Sequence, residues 1–316
     1  MNRLPGRLTR NLRIPAIAAP MFLVSGPDMV IAASRAGMIG SFPTPNARTP
    51  EILDQWLGTI TDALGADPQA AAWAANLVVH PSNDRLSADL DLVVRYEAPL
   101  VITALGSPSR VVDRVHGYGG LVFADVNSVG FARKAAMAGV DGLVLVASGA
   151  GGHTGQTAGF AFVEEVRRFW DGPIVLGGAI STGHAIRAAE ILGADLAYLG
   201  TALIACRESM AADAYKQMVV EAGADQIVPS KGITGVTANW LRDSLIAAGH
   251  DPDNMPEDKK PNFENAQDDA KAWKNVWSAG QGVGAVEAVE PVGAIVERLR
   301  HEYQIAAQMP PFQIEE

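Results

Sequence analysis

Asp141-Gly-Leu-Val-Leu-Val-Ala-Ser-Gly-Ala-Gly-Gly-His-Thr-Gly-Gln-Thr157 decides how the chain is read. Residues 142–147 form an apolar run of strand length, with the continuous hydrophobicity of a strand buried on both faces. The run opens into a loop carrying Gly149, Gly151, Gly152 and Gly155, and a helical pattern begins near Phe160. Strand, glycine-rich loop and helix in that order make a parallel βα unit. Glycine, having no Cβ, lets such a loop approach a ligand closely. The imidazole of His153 in the middle of it is suited to changing charge near neutral pH.

The same unit repeats in both directions. Apolar strands are expected at 14–20, 38–42, 71–79, 100–104, 120–125, 142–147, 173–177 and 196–199. Helices fall between them: 27–36 with Pro27 in its first turn, about 51–64 behind the Thr49-Pro50 start signal, and about 84–96. Ala138-Gly-Val-Asp141 before the sixth strand is echoed by Leu192-Gly-Ala-Asp195 before the eighth, each with a glycine to end a helix and an aspartate to start the turn. Alternation of this kind implies right-handed crossovers and a parallel sheet. Eight such strands in about 200 residues fit an α/β fold closed as a (β/α)8 TIM barrel. The open doubly wound alternative lacks a Gly-x-Gly-x-x-Gly after its first strand.

Beyond Thr201 the rhythm changes. Helices are expected at 209–222 and 237–248, then a polar, proline-punctuated connector at 251–261, then packed structure around Trp273 and Trp277, Gly280-Gln-Gly-Val-Gly284, and a closing helix at 292–306. The expected organisation is a barrel domain of 1–206 and 277–316, with 207–276 a mostly helical insertion after the eighth strand, serving as a lid, a dimer surface or both.

Composition narrows the partners. A net charge of −10 argues against nucleic acid, which needs a basic face. The single cysteine, Cys206, excludes an internal disulfide and any cysteine-cluster metal site, and its apolar setting reads as packing. No apolar run reaches the ~18 residues of a membrane span, and the basic first ten residues lack the apolar stretch of a secretory signal. A cytoplasmic enzyme, off the membrane and without metal, is the expectation.

In a barrel, loops after the strands converge on one face, and those after strands seven and eight commonly bind phosphate through backbone N–H groups. Here they are Gly177-Gly178-Ala179 and Gly200-Thr201. With His153 and an amide at Asn76, they describe a site for a phosphate-bearing ligand, either flavin mononucleotide (FMN) or a sugar phosphate. His80 lies where it could line the same mouth, and His184 where a phosphate contact or plain exposure suits it better than proton transfer.

Several ordered motifs resemble the nitronate monooxygenases, formerly 2-nitropropane dioxygenases, over nearly the whole chain. They are Ala19-Pro20-Met21, Asn76, Ala150-Gly-Gly-His-Thr-Gly155, Leu176-Gly-Gly178, Leu192-Gly-Ala-Asp195, Leu199-Gly-Thr201 with Arg207-Glu208, Ile233-Thr-Gly-Val-Thr-Ala-Asn239 with Leu241-Arg242, and Trp277-Ser-Ala-Gly280 with Gln281. The resemblance implies an FMN-dependent barrel oxidising alkyl nitronates or nitroalkanes with O2 to carbonyl compounds and nitrite. It implies His153 as the catalytic base. It implies a cofactor set of Ala19, Pro20, Met21, Asn76, Asp125 (where relatives carry lysine), Ser148, Gly151, Gly152, Gly177, Gly178, Ala179, Leu199, Gly200, Thr201, Ser278 and Gln281. The rival readings are an FMN-dependent enoyl-thioester reductase using NAD(P)H, which shares the Gly-Gly-His loop, and a flavin-binding barrel without turnover. A homodimer is left open.

Overall fold

The computed structural model describes residues 3–257 and 273–310. Eight parallel strands form the wall: β1 (Ala16–Ala18), β2 (Gly40–Pro43), β3 (Trp73–Val78), β4 (Leu100–Ala104), β5 (Leu121–Val126), β6 (Gly142–Val146), β8 (Ile174–Gly177) and β9 (Leu196–Leu199). Their spatial order is β1-β9-β8-β6-β5-β4-β3-β2. A parallel bridge between Ile17 and Ile39 joins the two ends and closes the ring. The expected barrel is therefore present, with no strand end shifted by more than two residues.

Alternation along each strand splits the core in two. Ile17, Ile39, Ala74, Leu100, Ile102, Phe123, Val144, Val175 and Leu196 point inward and pack into a plug that fills the barrel axis. Their neighbours one position along, among them Ala16, Ala75, Val101, Val122, Leu145 and Leu176, face outward against the helices. Burial on both faces is why these strands are apolar throughout.

The helices start where the sequence says. Thr49 Oγ1 accepts from Ile52 N at 3.3 Å ahead of Pro50–Gly65, and Thr182 Oγ1 from Ala185 N at 3.1 Å ahead of Gly183–Leu192. The echoed turns do one job twice: Gly139 (φ 82°) and Gly193 (φ 117°) are left-handed. Asp141 Oδ2 then accepts from Val122 N at 2.7 Å, and Asp195 Oδ2 from Ile174 N at 2.8 Å. Each carboxylate ties a turn at the barrel bottom to the neighbouring strand.

The chain leaves the wall at Cys206 and rejoins it at Glu290, where Arg207 N donates to Glu290 O at 2.9 Å and Val292 N to the Glu208 carboxylate at 3.0 Å. Between these points the expected helices are shorter. The first spans Asp213–Glu221 rather than 209–222. The second, expected at 237–248, is strand Ala238–Leu241 (β11) followed by helix Arg242–Ala247. β11 pairs antiparallel with Ile227–Ser230 (β10) and with a two-residue strand, Gly152–His153 (β7). Pairing overrode local preference, as it commonly does for short segments with ambiguous patterning. Of the connector expected at 251–261, residues 258–261 lie outside the described residues. The closing helix runs Val292–Gln308 against Gly183–Leu192.

Candidate active site

Inward-facing residues low in the barrel are fully buried, whereas Ala104, Asp125, Val146 and Tyr198, in the same rows but nearer the strand ends, retain some exposure. The barrel is thus filled below and open above, as expected for the face carrying the βα loops.

Glycines wall one side of the opening. Gly178 has φ 128°, and a Cβ on it would lie 2.8 Å from Ser148 O. On Gly151 a Cβ would meet Gly280 N at 2.8 Å, and on Gly280 it would meet Gly149 O at 2.6 Å and Thr201 Oγ1 at 3.2 Å. Three segments far apart in sequence (149–152, 177–179 and 278–281) therefore touch backbone to backbone. Hydrogen bonds fix them: Gln281 N to Gly149 O at 2.9 Å, Ala179 N to Gly149 O at 3.3 Å, and Gly280 N to Thr201 Oγ1 at 2.8 Å. Among the described residues, the N–H groups of Gly178, Gly200 and Thr201 donate no hydrogen bond.

The other side comes from the loop after β1. Met21 Sδ lies 3.5 Å, and Ala19 Cβ 3.8 Å, from where a Cβ on Gly200 would stand, which brings both beside the glycine wall. Asn46 holds this loop, accepting from Leu23 N at 2.8 Å and donating to Met21 O at 3.0 Å and Ser25 O at 2.8 Å. Asn76 is buried, its amide bonded to Ile102 O at 3.0 Å, with a row position facing the lumen.

His153 stands on β7, opposite Ala238 of β11. Thr154 N donates to Thr237 O at 3.1 Å, and Asn239 Nδ2 to Ala150 O at 2.7 Å, so the histidine loop is clamped on both sides of its tip. The half-buried imidazole packs edge-on against Trp273, ring centres 5.3 Å apart, and Trp273 leans on buried Trp240 at 4.6 Å. Its nitrogens make no hydrogen bond among the described residues. Burial pushes its pKa down to about 4. A ring changing charge near neutral pH was the expectation; the structure holds it neutral there, with a lone pair free to take a proton.

A family-wide sequence profile for nitronate monooxygenase matches residues 60–302. The chain belongs to the nitronate monooxygenase family. A nitronate monooxygenase of Paraburkholderia phytofirmans is 26% identical over 282 residues, covering 75% of this chain and 76% of that one. A (3aS,4S,5R,7aS)-5-hydroxy-7a-methyl-1-oxo-octahydro-1H-indene-4-carboxyl-CoA dehydrogenase of Mycobacterium tuberculosis is 25% identical over 235 residues, covering 73% of this chain; the match spans 64% of the relative's length. Among solved structures, nitroalkane oxidase from Streptomyces ansochromogenes superposes with TM-score 0.80 at 23% identity, covering 96% and 99% of the two chains. FabK from Thermotoga maritima does so with TM-score 0.77 at 21%, covering 96% and 98%. At such identities the two structures speak for the barrel fold alone.

For this member of the nitronate monooxygenase family, most of the expected residues converge, with exceptions of detail. Leu199 turns its side chain into the outer core and presents only its carbonyl, which accepts from Ala19 N at 2.9 Å. The Thr201 hydroxyl is already engaged by Gly280. Ser278 offers its carbonyl to the Tyr215 hydroxyl, and Tyr215 stacks on Trp277, ring centres 5.1 Å apart. His184 is exposed near the start of its helix, and His80 is tied to Ser82 Oγ at 2.7 Å. None of Asn46, Tyr198, Tyr215, Asn239, Trp240 and Trp273 is given a site role by the sequence. Cys206 is fully buried, its thiol pushed up to about 11 mainly by burial, as packing requires. Among the described residues there is no metal-ligating cluster and no helix long and apolar enough to cross a membrane.

Proposed function

We propose that this family oxidoreductase is an FMN-dependent nitronate monooxygenase, oxidising alkyl nitronates or nitroalkanes to carbonyl compounds and nitrite. The observation that carries the reading is a neutral imidazole, without a hydrogen-bond partner among the described residues and clamped by β11, on the loop packed into the glycine wall. The residues present fit a flat, phosphorylated cofactor. Unengaged N–H groups at Gly178, Gly200 and Thr201 suit a phosphate. The Cβ-free wall admits a ring against backbone, and Met21 and Asn76 would flank it. Bound FMN would supply the electron transfer from the nitronate to O2. His153 takes the α-proton of a neutral nitroalkane on its free nitrogen, and being neutral it also admits the nitronate anion without a proton to give. Trp273 and Trp240 fix the ring's direction and keep water off one face. The 207–276 insertion is proposed to act as the wall that sets this geometry.

A second reading, reduction of an enoyl thioester by NAD(P)H, draws support from one feature. A groove of about 290 Å³ lies beside the histidine loop, lined by Asn127, Ser128, Phe131, Gln156, Thr157, Thr237 and near neighbours, none of them charged. Such a lining suits an uncharged, amide-bearing arm. Anaerobic mixing of the FMN-loaded protein separates the two. Bleaching of the visible bands by a nitronate and not by NAD(P)H is the expected result; the reverse would transfer the function to the reductase.

A further inference from the structure

Above the apolar plug the lumen carries two polar groups that the fold does not use. Asp125 continues the inward row of Leu121 and Phe123 on β5, and Tyr198 that of Leu196 on β9. β6 and β8 stand between those strands, so the two side chains meet across the barrel. Asp125 Oδ1 and the Tyr198 hydroxyl are both buried and make no hydrogen bond. The phenol is near enough to act on the carboxyl but outside bonding geometry. Gly177 makes room for the phenol ring: a Cβ there would sit 3.2 Å from Tyr198 Cβ and Cδ1.

Among the described residues no cation answers this acid. The inward residues towards the ends of the other strands, among them Ser41, Asn76, Ala104, Val146 and Gly177, are uncharged. Tyr198 is the sole titratable side chain acting on it among the described residues, and the site's other titratable group is His153. Burial, slightly countered by Tyr198, lifts Asp125 to about 7; burial and then the Asp125 charge hold Tyr198 well above the usual phenol range. A carboxyl with one oxygen buried and unpartnered, and with no cation acting on it among the described residues, is best accommodated neutral, and a neutral carboxyl is a hydrogen-bond donor.

We propose that Asp125, beside Tyr198 at the top of the lumen, donates its carboxylic proton as a hydrogen bond to an acceptor atom of a heteroaromatic ring lying over the lumen. The ring is that of FMN, so this proposal rests on the cofactor reading above. The acid form is the one that binds. Ionisation turns the donor into a charged acceptor facing the ring's own oxygens and nitrogens, and the cofactor is then released more readily.

The test is the dissociation constant of FMN, read by quenching of flavin fluorescence, for the parent and Asp125→Asn between pH 6 and 9. The amide keeps a donor but cannot ionise. Titration of the FMN phosphate is common to both proteins and cancels in their ratio. The parent is expected to weaken relative to D125N by up to about tenfold per pH unit above 7, the signature of one linked proton. Tyr198→Phe, which removes the group that lowers the Asp125 pKa, is expected to move the break to higher pH. A ratio constant across the range would overturn the proposal alone. Folded proteins that bind no FMN at any pH would overturn it together with the cofactor reading.

Discussion

Removing the Asn239 side chain should loosen the histidine loop while leaving the barrel standing. Asn239 is 2% exposed, and its Nδ2 makes a 2.7 Å bond to Ala150 O, three residues before His153. Among the described residues this is the one side-chain hydrogen bond between the insertion and the 147–157 loop. Asn239→Ala strips that carbonyl of its partner in a nearly dry setting, a loss of roughly 1–3 kcal/mol. If the loop must be closed for His153 to meet the substrate, the same free energy appears in turnover. At 1.4 kcal/mol per tenfold, kcat/KM falls by about fivefold to a hundredfold. Asn239→Asp should do worse, since its carboxylate would face the carbonyl oxygen. The assay is O2 uptake with a nitropropane nitronate at saturating FMN, with circular dichroism and Tm as controls. An N239A protein that folds, binds FMN and turns over within twofold of the parent would refute the clamp.

Four further outcomes follow from other features. With His153 acting as a neutral base whose pKa is pushed down to about 4, kcat/KM for a neutral nitroalkane should stay flat from pH 8 to about 5 and drop only below it; a limb near 6.5 would mean an exposed imidazole. The same burial makes the unfolded chain the better proton binder, so His153 withdraws stability as pH falls from 6.5 towards 4, and His153→Gln should lose less Tm than the parent over that span. Gly178→Ala must take φ 128° with its Cβ 2.8 Å from Ser148 O; strain of about 1–3 kcal/mol should reach the cofactor first, as a more than tenfold rise in FMN Kd. Asp195→Ala removes both the 2.5 Å pair with Arg167 and the 2.8 Å acceptor of Ile174 N, so thermal unfolding should shift by the equivalent of about 3 kcal/mol with FMN affinity unchanged.

The barrel was legible because its information is local. Thr49 announces a helix start, and Gly139 with Asp141 and Gly193 with Asp195 write the same turn twice, each readable within a few residues. The glycine wall was legible for a similar reason: a backbone that must approach another backbone has to be glycine wherever it occurs in the chain. The pairing of Gly152–His153 with Ala238–Asn239 was not, since a two-residue strand has no periodicity and 237–248 satisfies a helical pattern as well as an extended one. The low pKa of His153 was also out of reach, because the burial that sets it comes from Trp273 and its neighbours, far along the chain. Tyr198 looked like strand filler; only the inward row it shares with Leu196 marks it as a lumen residue.

The stitching of β7 to β11 also sets an order of assembly. All eight wall strands have been synthesised once Leu199 has emerged, and β1 can then close on β9. His153 is still unclamped at that stage, because its partner Ala238 comes later in the chain. A nascent barrel can therefore be closed and yet inert, and the histidine gains its fixed place only when the excursion folds back onto a finished wall. Ligand-dependent protection from proteases should accordingly appear late, after the barrel core has already become resistant.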